Sequence, residues 1–137
     1  MSWDIFIQDL PDGIKTIQEI PDDFRPKPFL PRARIADTIK ELAPFTDFSE
    51  PNWWRIKCAV FSLEVNINSD DPSPGFALHI RGGEEVIGFV HELLERLGVR
   101  ALDPSSDTGF FDMEKSRRGL QRWRSYRDQI TEANGRL

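Results

Sequence analysis

Residues 61–81, FSLEVNINSDDPSPGFALHIR, decide how this chain is read. Phe61, Leu63, Val65 and Ile67 alternate with Ser62, Glu64, Asn66 and Asn68; beyond a turn-rich loop, Phe76, Leu78 and Ile80 alternate with Ala77, His79 and Arg81. A period of two sends successive side chains to opposite faces of a strand, so the two runs predict an antiparallel hairpin with one apolar and one polar face. If the hairpin centres near residues 71 and 72, Glu64 lies opposite His79 and Ser62 opposite Arg81; a slip of two residues would pair Glu64 with Arg81 and Asn66 with His79. Either register gathers Glu64, Asn66, His79 and Arg81 on one patch.

Working outward, Gly82 and Gly83 lead from the hairpin into a predicted helix at about 84–97, whose apolar stripe is Val86, Val90, Leu93, Leu94 and Leu97 and whose stop is Gly98. VRALD at 99–103 reads as a last short strand, PSSDTGFF as a loop, and residues 113–132 as a third helix carrying Met113, Leu120, Trp123 and Ile130 on one side. Upstream, RARIADTIKELA at 32–43 places Ile35, Ile39 and Leu42 at helical spacing between Pro31 and Pro44. A shorter strand is expected near Trp54 to Cys58. WDIFIQD at 3–9 alternates like a strand and adds Asp4 and Gln8 to the polar patch. Between them, LPDGIKTIQEIPDDFRPKPFLP holds five of the ten prolines and reads as an extended wrap, with one helical turn at Ile14, Ile17 and Ile20.

The order strand, helix, hairpin, helix, strand, helix predicts a two-layer α+β domain: a mainly antiparallel sheet with helices on one face, ferredoxin-like in its β-α-β-β-α-β order, plus a C-terminal helix. With 137 residues, 39% of them hydrophobic and fifteen aromatics, one compact core spanning 1–137 is expected. No run approaches the roughly 20 apolar residues that span a bilayer, and the acidic first residues do not resemble a secretory signal, so a cytoplasmic protein without a membrane partner is expected.

Several candidate chemistries yield to plainer readings. Gly82 and Gly83 before a helix suggest a phosphate cradle, but Glu84 and Glu85 occupy that helical turn and repel anions, and no complete dinucleotide or P-loop pattern is present; a strand-to-helix corner is the better account. His91 opens HELLE, where the second histidine of a helical zinc motif is replaced by Glu95; an exposed i, i+4 pair is expected instead. NINSDDPSP lacks the glycine and the twelfth-position carboxylate of a calcium loop. Cys58, the single cysteine, has no disulfide partner and reads as a buried inert thiol. No metal and no cofactor are expected, and no catalytic set is complete.

The net charge of −5 is uneven. Residues 1–112 hold 20 acids against 11 Lys or Arg, whereas 113–137 hold 3 acids against 7. The basic last helix, with Arg117, Arg118, Arg122, Arg124 and Arg127 beside Trp123 and Tyr126, has a composition that can contact nucleic acid. Trp123 on the core, with the arginines solvated or paired to the acidic body, is the favoured reading, and the overall acidity argues against a nucleic-acid partner.

SWDIFIQDLP, IPDDFRPKP, DFSEPNW, FSLEVN, HIRGG, LGVRALD and WRSYRDQ together resemble small bacterial proteins of uncharacterised function, over nearly the whole chain. The resemblance implies a stand-alone bacterial domain and carries over no catalytic residue. The expected function is a non-enzymatic protein-interaction or ligand-binding domain, such as a regulator, adaptor or immunity-like protein, with Glu64, Asn66, His79 and Arg81 as its binding residues and a protein as its partner. The alternative is a small enzyme or small-molecule binder using Glu64, His79 and Arg81, in which a neighbouring carboxylate tunes the histidine. Oligomeric state is left open.

Overall fold

The computed structural model describes residues 3–135, with side chains through Ile130. The hairpin forms as read: β3 (Phe61–Ile67) pairs antiparallel with β4 (Gly75–Gly82), with Glu64 opposite His79 and Ser62 opposite Arg81. The unslipped register is therefore the observed one. Before it, β2 (Trp53–Lys57) pairs antiparallel with β3, and at the front of the chain β1 (Trp3–Gln8) pairs antiparallel with β4. β5 is only Ala101–Leu102 and pairs with β1, giving the order β2-β3-β4-β1-β5.

One face of this sheet is greasy throughout. Ile5 and Ile7, Trp54 and Ile56, Phe61 through Ile67 at alternate positions, and Phe76, Leu78 and Ile80 are all buried. They meet the apolar stripes of α1 (Arg32–Leu42; Ile35, Ile39, Leu42) and α2 (Glu84–Leu97; Val86, Phe89, Val90, Leu93, Leu94, Leu97) in one continuous core. Among the described residues the result is a two-layer α+β fold with a five-stranded antiparallel sheet and three α-helices.

Local signals set the helix ends. Gly98 takes the left-handed conformation, φ 67°, and its N–H bonds the last turn of α2. The first N–H of α1 is capped from afar: Asp71, in the hairpin loop, accepts from Arg32 N at 3.1 Å. That contact gives the acidic loop a structural task. Asn68 Oδ1 meanwhile accepts from Asp70 N at 3.1 Å in a side-chain turn.

α3 (Arg117–Gly135) starts four residues later than expected, because Asp112 accepts from Glu114 N and Lys115 N and turns residues 112–116 before the helix begins. Met113 thus packs on the core from that turn and not from the helix. α3 lies along α2. Gly88 and Gly119 are where the two helices touch: a Cβ on Gly88 would overlap the Gly119 carbonyl, and one on Gly119 would overlap that of Glu84. This backbone-to-backbone approach lets Trp123, fully buried, reach Phe61 and Phe89 with ring centroids 5.6 and 5.1 Å away.

The strand expected over 99–103 shortens to two residues because its neighbouring loop takes over the edge: Phe111 N donates to Ala101 O at 2.9 Å, and Leu102 bridges Phe110. Phe110 and Phe111 are both buried. The wrap before α1 has a single short helical turn, Ile17–Glu19, without Ile14 or Ile20 inside it.

Candidate functional site

The second face of the sheet is the polar one, and among the described residues no helix covers it. α3 packs on α2 in the opposite layer, so Asp4, Arg55, Lys57, Asn66 and Arg81 remain exposed and Glu64 and His79 half-buried. Strand pairing sorts these side chains into rows. Lys57, Ser62 and Arg81 form one row; Arg55, Glu64, His79 and Asp4 form the next; Trp53, Asn66, Ala77, Phe6 and Leu102 form a third. All four predicted site residues, Glu64, Asn66, His79 and Arg81, share this face. A cavity of about 330 Å³ is lined by Asp4, Ser62, Glu64, His79 and Arg81.

Within the patch the expected carboxylate partner of the histidine changes. The carboxylate bonded to His79 is Asp4 from β1, with Nδ1 to Oδ1 at 2.8 Å, and not Glu64. Asp4 and Glu64 flank His79 from neighbouring strands, and only the former closes to hydrogen-bond distance. Trp53 supplies the second restraint: its ring stacks on the imidazole at 5.6 Å between centroids and 23° between planes. The alternation that placed Arg55 and Lys57 outward also placed Trp53 there.

A carboxylate can only accept, so Nδ1 carries the hydrogen in this bond. Nε2 of His79 has no partner among the described residues. Nor do Glu64, Arg81, Arg55 and Lys57 form an ion pair within 4 Å among them. Among the described residues the cross-strand pair on this face is that of His79 and Asp4.

The helical side of the molecule is the reverse case. Glu84 meets Arg118 at 3.2 Å and Arg122 at 2.9 Å. Glu92, its side chain 4% exposed, meets Arg127 at 2.7 Å, Arg96 at 3.2 Å and Arg124 at 3.6 Å. The basic last helix is thus bound to the acids of α2, and the glutamates at the two-glycine corner serve as its anchors.

His91 departs from expectation: it is buried, 6% exposed, and is not an exposed pair member. Its Nδ1 is hydrogen-bonded to Ser116 Oγ and its Nε2 to Glu95 Oε2 at 3.2 Å. The row Ser116, His91, Glu95 has the membership of a hydrolase triad but not its working parts. Ser116 Oγ donates its single proton to Met113 O at 2.7 Å, and the residue is 1% exposed, so the hydroxyl has neither a proton for the imidazole nor access to a substrate. This row joins α2 to the turn before α3.

Cys58 is half-buried and not fully buried; nearby, the Tyr126 hydroxyl accepts from Ala59 N at 3.3 Å. Burial, followed by the neighbouring Cys58, pushes the Tyr126 phenol above its ordinary value. Among the described residues no group of three His, Cys, Asp or Glu is placed to hold a metal ion, and no helix is long and apolar enough to cross a membrane.

No protein-family model matches this sequence, and neither a curated protein nor a solved structure matches it significantly. The polar sheet face is therefore read on its own geometry.

Proposed function

We propose that this chain is a single-domain, cytoplasmic, non-enzymatic interaction protein whose recognition surface is the open sheet face around Glu64, Asn66, His79 and Arg81. The observation that supports it is the contrast in ion pairing: Arg118, Arg122, Arg124 and Arg127 on α3 are matched by glutamates of the same chain, whereas on the sheet face only His79 and Asp4 are paired and Glu64, Arg55, Lys57 and Arg81 have no ion pair among the described residues. Regulators, adaptors and immunity-like proteins work in this way, by presenting a fixed surface and no chemistry. The sheet itself is read as ferredoxin-like with β2 added at its edge; leaving β2 aside, the order β3-β4-β1-β5 with α1 and α2 as crossovers supports that reading.

The test is capture from an extract of the source cell with wild-type protein and with a Glu64→Lys, Arg81→Glu double variant. A partner held by the wild type and released by the variant is expected. Equal recovery by both, or nothing above background across several salt concentrations, overturns the reading.

One observation favours a second reading, a small-molecule binder or enzyme. Asp4 holds Nδ1 of His79 and leaves Nε2 available as a base, the orientation in which histidine does proton transfer. An NMR titration of His79 in wild-type and Asp4→Asn protein decides it: identical midpoints remove acid–base coupling from this site.

A further inference from the structure

We propose that the occupant of the open sheet face is a second copy of this chain, packed face to face about a two-fold axis that runs along the strands between β3 and β4. This rests on the reading of that face as the recognition surface. The argument is one of charge order. From β2 to β1, the middle row reads Arg55, Glu64, His79, Asp4. Such an axis lays β2 over the partner's β1 and β3 over the partner's β4. Arg55 then meets the partner's Asp4, and Glu64 meets the partner's His79 on the nitrogen that Asp4 of the same copy leaves unbonded. Each contact occurs twice.

The rows on either side agree. Asn66 falls over the partner's Ala77, and in the other row Ser62 falls over the partner's Arg81. A hydroxyl acceptor there meets a guanidinium donor. Axes between β2 and β3 or between β4 and β1 form one kind of opposite-charge contact instead of two, and axes on a strand or across the strands oppose like charges. An axis on β3 sets Glu64 against the partner's Glu64, one on β4 sets it against Asp4, and an axis across the strands at the middle row sets Arg55 against Arg55. Like charges so juxtaposed oppose association.

The contact is small. Four strands spaced by about 4.8 Å and three rows spanning about 20 Å give a projected area of about 400 Å² per copy. Doubled, that is about 800 Å², below the usual range for a stable complex, so the dimer should form at concentrations on the order of 100 µM and weaken with salt.

Sedimentation equilibrium from about 5 µM to about 1 mM tests it. Wild-type apparent mass should rise from 15.8 kDa toward twice that value. Arg55→Glu and Asp4→Arg should each weaken dimerisation by at least about tenfold, because each places two like-charged contacts in its own dimer. An equimolar mixture of the two should dimerise again, since the introduced carboxylate of one copy faces the introduced guanidinium of the other while the second, unsubstituted pair stays intact. Should Asp4→Arg fail to fold by circular dichroism, Glu64→Lys mixed with His79→Glu makes the same test on the other pair. A wild type that stays monomeric throughout overturns the proposal, as does a dimer indifferent to the substitutions or one that mixing does not restore. If the wild type is monomeric but the Glu64→Lys, Arg81→Glu variant still loses a captured partner, the surface reading survives and only the second copy is rejected; loss of both results rejects both.

Discussion

The arginines of α3 and the cations of the sheet face differ in what surrounds them. Arg118, Arg122, Arg124 and Arg127 lie against Glu84, Glu85 and Glu92 of α2, while Arg55, Lys57 and Arg81 stand on strands whose neighbouring acids do not close on them. Geometry explains the difference. Two helices in backbone contact at Gly88 and Gly119 bring long side chains from one within reach of the other, whereas strand neighbours project side by side and perpendicular to the sheet. The first arrangement holds the molecule together; the second leaves charge available to something outside it.

That contrast can be broken most forcefully at the helix contact. Alanine is the better helix former by about 1 kcal/mol, but at Gly119 its methyl would meet the backbone of α2, and overpacking of this kind costs about 1–3 kcal/mol, so Gly119→Ala should be net destabilising in urea unfolding. A neutral or stabilised variant would mean that α3 does not approach α2 so closely.

A matched pair of truncations sharpens the point. Glu92→Ala strands three arginines that are 28–46% exposed and can turn toward water, so the loss should be about 1–2 kcal/mol, less than for a fully buried pair. Glu64→Ala, on the open face, should change stability by less than about 0.5 kcal/mol. Equal losses from the two would remove the distinction between a structural and an available charge.

The smallest effect is spectroscopic. Tyr126 is the single tyrosine, so absorbance at alkaline pH follows one phenol, and its midpoint should lie above the ordinary value of 10 because burial, then Cys58, disfavours the phenolate. With the folded value raised, the contribution to stability is complete below pH 10, where both states are protonated. It is lost as pH rises through the folded midpoint. A midpoint at or below 10 would place Tyr126 in water and α3 off the sheet edge.

Much of this was legible in the sequence. Alternation in residues 61–81 carried both strands of the hairpin and the face on which Glu64, Asn66, His79 and Arg81 stand, because a period of two survives any tertiary context that buries one side; it did not separate two registers that differ by two residues, since both present the same face. The stripes of α1 and α2 were legible for the same reason. His91 was not: it flanks the stripe of its own helix, and what buries it is Ser116 and α3, brought there by a loop. Gly88 and Gly119 carried no signal individually, since neither shows in its own helix that the other will face it. Asp4 was placed on the right face, but choosing it over Glu64 as the histidine's partner required side-chain geometry that register alone does not contain.

The place of β1 between β4 and β5 has a bearing on how the chain is made. Asp4 and His79, bonded in the finished sheet, are 75 residues apart, and β5 follows later still. On the ribosome the first strand therefore emerges long before either of its neighbours and has to remain unpaired, its Ile5 and Ile7 exposed, while the intervening residues are synthesised. Chaperone capture during translation would concentrate on those first residues and end once the segment through Leu102 has left the exit tunnel.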